Sequence, residues 1–130
     1  MAFPITAPVA VALTVLSIIL SLRVSFKRGA LAIALGDGGN PALLERMRQH
    51  GNLMENAPLA LIILALAEAQ GVQASWLYAS AAILLLSRLI HPFGIRHDQP
   101  ANPIRVIGAS GTAVSMLIAS IGILRMMLGI

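Results

Sequence analysis

The chain has 130 residues, of which 58% are hydrophobic and 11% are charged, and its net charge is +4. Soluble domains carry roughly a quarter charged residues, so a chain this apolar could not cover a soluble surface. It contains no cysteine, which excludes disulfides, thiolate metal sites and a nucleophilic protein thiol. The basic residues flank apolar runs and form no aromatic-rich patch, which favours a membrane surface and anionic ligands over nucleic acid.

Four apolar segments, each long enough for a span of about 20 residues, predict an all-α membrane protein with one four-helix transmembrane domain over residues 1–130. The first segment has no basic residue before it and no small-residue cleavage site after it, so we interpret it as a retained span. Asn40 and Pro41 together indicate the start of the second helix. The predicted helices cover about 3–25, 41–69, 74–91 and 104–128.

The basic residues gather around loops one and three. Loop two and the N-terminal tail have none, and the C-terminal end has only Arg125. The positive-inside rule therefore predicts that loops one and three are cytoplasmic and that both termini lie outside. The basic residues near these two loops are Arg23, Lys27, Arg28, Arg46, Arg48, Arg88, Arg96 and Arg105.

The second helix carries a polar stripe in its first half. Arg48, Asn52 and Glu55 are spaced i, i+4 and i+7, which places them on one face of a helix. A structural interpretation is that Glu55 pairs with an arginine on a neighbouring helix and that Asn52 ties helices together. The alternative is that this face binds a polar ligand.

Four arginines are expected at one level of the bundle: Arg23, Arg48, Arg88 and Arg105. A single arginine near a helix end most simply extends to the lipid headgroups. Because all four helices bring an arginine to the same level, a shared anion site is favoured over four separate contacts with lipid.

The histidines give weaker signals. His91 lies one turn after Arg88, and a histidine before a proline at a helix end is most often a cap or a hydrogen-bonding residue. His50 and His97 do not have metal-ligand spacing with it, so no metal site is expected.

The segment from Arg46 to Leu61, together with Arg88–His91 and Pro103–Arg105, resembles the MAPEG family, the membrane-associated proteins of eicosanoid and glutathione metabolism, in its bacterial branch. The motif is an arginine, an asparagine four residues on, a glutamate three further, and a proline before an apolar run. The matching residues here are Arg48, Asn52, Glu55 and Pro58.

The resemblance implies a homotrimer in the bacterial inner membrane that binds glutathione, as co-substrate, between subunits. It implies a glutathione transferase acting on lipophilic electrophiles, with peroxidase activity on lipid hydroperoxides as a further expectation. Arg105 would be catalytic by stabilising the thiolate. The implied glutathione-binding residues are Arg23, Arg48, Asn52, Glu55, Arg88 and His91. This assignment agrees with the chemistry, because arginine binds carboxylates and a nearby guanidinium favours thiolate over thiol.

The sequence also departs from better-known members. Where several of those carry tyrosines on helices three and four, this chain has Phe93, Ile95, Ala109 and Ser110. Fewer donors favour a second hypothesis, a non-catalytic binding or scaffold protein of the same fold. A third hypothesis, a small transporter, needs a carboxylate that cycles between protonation states, and Glu55 among arginines would stay ionised.

Overall fold

Two of the helices in this computed structural model, which describes residues 2–130, begin at an Asn-Pro pair. The side chain of Asn40 accepts a hydrogen bond from the backbone N–H of Leu43 at 3.0 Å. Asn102 accepts one from the N–H of Ile104 at 2.9 Å. In both cases proline occupies the first turn, where its missing N–H is not needed. The same local chemistry therefore fixes where the second and fourth helices start.

The four helices are α1 (Thr6–Leu31), α2 (Pro41–Ala69), α3 (Ala74–Gly94) and α4 (Pro103–Leu128). All four are long and apolar enough to cross a membrane, and residues 2–130 contain no strand. The predicted all-α, four-span architecture is confirmed.

Two helices extend beyond the ranges expected from hydropathy. α1 continues past residue 25 to Leu31, where Ala32 adopts a left-handed conformation and donates to the carbonyls of Arg28 and Gly29. α3 continues through Pro92 to Gly94. Hydropathy marks the end of an apolar run, whereas a helix ends where its backbone finds a cap. α1 therefore runs on through Lys27 and Arg28, and α3 runs on through Pro92.

The N-terminus of α1 is capped by a side chain from another helix. The carboxylate of Glu68, at the end of α2, accepts from the N–H groups of Ile5 and Thr6 at 2.8 and 2.9 Å. These N–H groups belong to the first turn, where the helix has no internal acceptors and a positive dipole end. Glu68 therefore joins α2 to α1 at the membrane face opposite to the loops rich in arginine.

Small residues let α3 and α4 approach closely. Gly108, Thr112, Ser115, Ala119 and Gly122 are the buried residues of α4 and follow one face. Ser80 and Ser115 each donate a hydroxyl to the other's carbonyl, at 2.9 and 2.8 Å. Membrane helices associate through such close packing and interhelical hydrogen bonds, because lipid leaves little hydrophobic driving force between them. α4 packs on α3 and α2, whereas α1 packs on α2 and α3 and, within residues 2–130, makes no contact with α4.

Candidate functional site

A polar cavity of about 250 Å³ opens at one end of the bundle, between the first half of α2, the α3–α4 loop and the start of α4. Three arginines face it with only one carboxylate among the lining residues, so the cavity favours anions. We call it the polar cavity. Its lining residues are Leu44, Glu45, Arg48, Asn52, Ile95, Arg96, His97, Pro100 and Arg105.

The stripe predicted on the second helix forms one wall of this cavity. Arg48 and Asn52 line it directly. Glu55, one turn deeper, accepts two hydrogen bonds from the guanidinium of Arg48, at 3.2 and 3.4 Å. Both side chains are 54% exposed, and exposed ion pairs contribute only about 0.2–1 kcal/mol. A ligand with its own charges could therefore replace this pair at little cost.

Arg88 does not face the cavity. It is 2% exposed, and its guanidinium donates to Asn52 Oδ1 at 3.1 Å and to the Gly108 carbonyl at 2.7 Å. Its Nε is buried without a hydrogen-bond partner. Arg88 thus ties α2, α3 and α4 together and orients the side chain of Asn52. Within this chain both terminal nitrogens of Arg88 already have hydrogen-bond acceptors and are covered, and its role in binding glutathione stays a prediction.

Arg105 reaches the cavity because two glycines bring α4 against α3. A Cβ on Gly94 would clash with the backbone of Ile104 and Arg105. A Cβ on Gly108 would lie 2.7 Å from Cβ of His91. His91 is buried against this contact, so its position is that of a packing residue, whereas Arg105 is exposed and lines the cavity.

Arg23 also lies away from the polar cavity within a single chain. It lies on α1, and its carbonyl accepts from the guanidinium of Arg46 on α2 at 3.1 Å. Because α1 and α4 do not touch within residues 2–130, Arg23 and Arg105 belong to opposite sides of the bundle.

Three titratable lining residues were not predicted as site residues from the sequence: Glu45, Arg96 and His97. Glu45 could have been found, because it lies three residues before Arg48 and continues the same helical face. His97 carries no such signal, since its partner is 52 residues away: its Nδ1 lies 3.0 Å from Glu45 Oε2. The loop gives no regular period from which this contact could be inferred.

Beside His97 the loop contains an exposed ion pair. The guanidinium of Arg96 donates to both carboxylate oxygens of Asp98, at 3.2 and 3.3 Å. These hydrogen bonds lower the pKa of Asp98 and raise that of Arg96. Asp98 thus neutralises the guanidinium of Arg96 in part. Since Arg48 pairs with Glu55, Arg105 is the lining cation that forms no ion pair within residues 2–130.

Comparisons with known proteins agree with this architecture. The sequence profile of the MAPEG family matches residues 6–125. Inner membrane protein YecN of Escherichia coli K12 is 33% identical over 87 residues, which cover 64% of this chain and 66% of YecN. YecN of Escherichia coli O6:H1 strain CFT073 matches to the same extent. The match therefore spans just under two thirds of the length of these relatives. No solved structure matches significantly.

The four apolar helices define an integral membrane protein with a cationic cavity at one end of its bundle. The chain belongs to the MAPEG family, whose profile covers nearly all of it. The family resemblance predicted from the second-helix motif is confirmed. The names of the two relatives state a location in the inner membrane and no activity.

Proposed function

We propose that this protein is a membrane-bound glutathione transferase that activates the glutathione thiol for attack on lipophilic electrophiles. The observation that carries the proposal is the convergence of Arg48, Asn52 and Arg105 on one cavity in a chain of the MAPEG family. This family includes glutathione transferases. Lipid hydroperoxides form a second substrate class that the same thiolate could reduce.

The Arg48–Glu55 pair suits one end of glutathione. The γ-glutamyl end of this tripeptide carries a carboxylate and an ammonium group on the same carbon. Arg48 would bind the carboxylate by a bidentate contact, and Glu55 would bind the ammonium. The exposed pair would thus exchange its internal contact for two contacts with the ligand. Asn52, oriented by Arg88, would donate its amide N–H to a peptide carbonyl.

Arg105 is the proposed thiol-activating residue. A guanidinium beside the sulfur stabilises thiolate relative to thiol and so lowers the pKa of the bound thiol. Arg105 has no side-chain hydrogen bond within residues 2–130, which leaves its five donors for the ligand. The apolar faces of the helices border the bilayer, from which a lipophilic electrophile would reach the thiolate.

We further propose a homotrimer in which neighbouring subunits complete the site. The polar cavity of one chain, about 250 Å³, is smaller than the roughly 300–1,000 Å³ of typical ligand pockets. Arg23 would reach the cavity only from a neighbouring subunit, because it lies on the opposite side of its own bundle. This arrangement supports glutathione binding between subunits.

The proposed location is the bacterial inner membrane with loops one and three in the cytoplasm. The two YecN relatives are named as inner membrane proteins, and basic residues near cytoplasmic loops follow the positive-inside rule. The polar cavity would then open toward the cytoplasm, where glutathione is available.

The test is thiolate formation on purified protein in detergent. Glutathione is added near neutral pH and ultraviolet difference absorbance is followed for wild type, Arg105→Ala and the matched control Arg125→Ala. Arg125 lies at the far end of α4, over the ring of Trp76 at 5.4 Å. The proposal expects a thiolate signal in wild type and Arg125→Ala and its loss in Arg105→Ala. A signal of equal size in all three proteins, or no signal in any, contradicts it.

A non-catalytic binding or scaffold protein is the second candidate. The observation in its favour is that the lining of the polar cavity includes no tyrosine. It predicts a stable oligomer without a thiolate signal at saturating glutathione, so the same experiment separates the two functions.

A further inference from the structure

One wall of the polar cavity contains a histidine held by a carboxylate. Nδ1 of His97 lies 3.0 Å from Glu45 Oε2, and the backbone N–H of His97 donates to the same oxygen at 3.2 Å. Because a carboxylate only accepts hydrogen bonds, Nδ1 carries the proton in the neutral imidazole. Nε2 is then the unprotonated nitrogen with a lone pair, which is the form that a general base requires.

The orientation of this pair is fixed by a buried amide. Nε2 of Gln49 lies 3.5 Å from the other carboxylate oxygen of Glu45 and donates to the carbonyl of Ile95 at 3.2 Å. Gln49 is 5% exposed, so the same amide joins the carboxylate on α2 to the loop that carries His97. Gln49 therefore attaches the loop that carries the imidazole to α2, beside the carboxylate that binds the imidazole.

The groups around His97 suit a proton acceptor next to an anion. On the loop side, Arg96 is paired with Asp98. Arg48 from α2 and Arg105 from α4 line the same cavity as the imidazole. The side chain of His97 is 49% exposed, so a proton taken up from a ligand can pass on to water.

We propose that His97 is the general base that takes the thiol proton of bound glutathione, with Glu45 as a positioning residue. This inference rests on the proposed function and adds a proton acceptor to it. In the step, the S–H bond breaks, its electron pair stays on sulfur, and an Nε2–H bond forms. The thiolate is stabilised by Arg105, and the imidazolium donates Nδ1–H to Glu45 until it loses its proton to water.

If the His97–Glu45 pair only anchored the loop, the number of protons released for each thiolate formed would be different. Without a base, each thiolate formed releases one proton to the buffer at every pH. With His97 as the base, an imidazole that is neutral before glutathione binds keeps the proton, so fewer protons than thiolates are released in part of the range between about pH 6 and 8.5, in which histidine side chains change charge. A ratio of released protons to thiolate formed that falls below one within this range therefore separates the two roles.

The experiment adds glutathione to the full-length protein in weakly buffered detergent and follows thiolate absorbance together with an indicator dye. S-methylglutathione, which has no thiol proton, gives the proton release due to binding alone, and this is subtracted. We expect the ratio in wild type to pass through a minimum well below one between about pH 6 and 8.5. In His97→Gln we expect a ratio of about one throughout this range and thiolate formation slowed on the order of 100-fold.

Two further variants complete the design. Glu45→Gln removes the carboxylate that orients the imidazole, and we expect its proton ratio to move toward that of His97→Gln. His50→Gln is the matched control, because His50 lies outside the cavity with its Nε2 3.5 Å from Ser17 Oγ, and its ratio should equal that of wild type. Size-exclusion profile and affinity for S-methylglutathione verify that each variant is folded.

The outcomes separate this proposal from the one on which it rests. Wild type that forms thiolate but releases one proton per thiolate at every pH between about 6 and 8.5 overturns the role of His97 and leaves the transferase function standing, without recourse to any variant. A folded His97→Gln with the wild-type ratio and rate overturns it equally. Absence of thiolate in wild type overturns the transferase function and the general base together.

Discussion

Replacing Gly94 by alanine should move the start of α4 and with it Arg105. A Cβ at this position would lie 2.6 Å from Cα of Arg105 and 2.7 Å from the carbonyl carbon of Ile104, where ordinary contact begins at 3.4 Å. These are backbone atoms, so no rotamer change can relieve the clash. α3 and α4 must separate by about 1 Å at this point, a displacement that can reduce activity on the order of 100-fold when it misplaces a functional group.

The same substitution should also lower stability. Forcing an extra methyl group into a closely packed contact costs about 1–3 kcal/mol. Unfolding in mixed micelles with increasing dodecyl sulfate, followed by circular dichroism, measures this loss. The thiolate assay with glutathione measures the displacement of Arg105 separately, so the structural part of the prediction stands independently of the proposed function.

Gly29→Ala is the matched control. Gly29 also lies in a helix, but a Cβ added there would have no heavy atom within 4 Å. Alanine has a higher helix propensity than glycine, so the effect should lie between zero and about 1 kcal/mol of stabilisation. If Gly94→Ala unfolds at the wild-type detergent fraction, or if Gly29→Ala is destabilised as strongly, the close approach of α3 and α4 is not what positions Arg105.

Three further substitutions test the contacts that hold the bundle. Glu68→Ala removes the acceptor at the start of α1 and should lower the stability of the protein by about 0.5–2 kcal/mol in the same unfolding titration. Protection of the first α1 amides from hydrogen exchange should also fall, and unchanged protection contradicts the cap. Arg88→Met removes the hydrogen bond to Asn52 and the one to the α4 backbone. At about 0.6–1.7 kcal/mol for each such bond in a membrane, the substitution should cost about 1–3 kcal/mol of stability. Wild-type stability together with wild-type glutathione affinity would refute the role of Arg88. Ser80→Ala removes one of the reciprocal bonds with Ser115 and should cost about 0.6 kcal/mol, with any loss above about 2 kcal/mol indicating a packing role instead.

Several features of the site follow from the sequence. The Asn-Pro pairs fix the starts of α2 and α4 through local hydrogen bonds. The period of the helix places Arg48, Asn52 and Glu55 on one face, and the structure indeed joins Arg48 to Glu55 at 3.2 Å. Both features depend on contacts within a few residues of chain, for which spacing alone is sufficient.

Tertiary structure decided which arginines face the cavity. From the sequence, Arg88 and Arg105 were both expected at the same level of the bundle, near the ends of two helices. The rotation of α3 against α2 and α4 buries Arg88 at 2% exposure, whereas the start of α4 leaves Arg105 exposed on the cavity wall. Helical periodicity fixes the angle between residues of one helix, but it does not fix which face a neighbouring helix will cover.

The sequence by itself therefore determined two features: the class of fold, which is a bundle of four membrane-spanning helices, and the polar face of α2. Only the tertiary structure decided that Glu45 meets His97 across 52 residues and that Arg23 lies away from Arg105. The physical reason is that a membrane span must match the thickness of the hydrocarbon core, so the length and composition of an apolar segment are enough to identify it. Contacts between helices depend instead on small residues such as Gly94 and Gly108, whose partners become known only when the helices are packed.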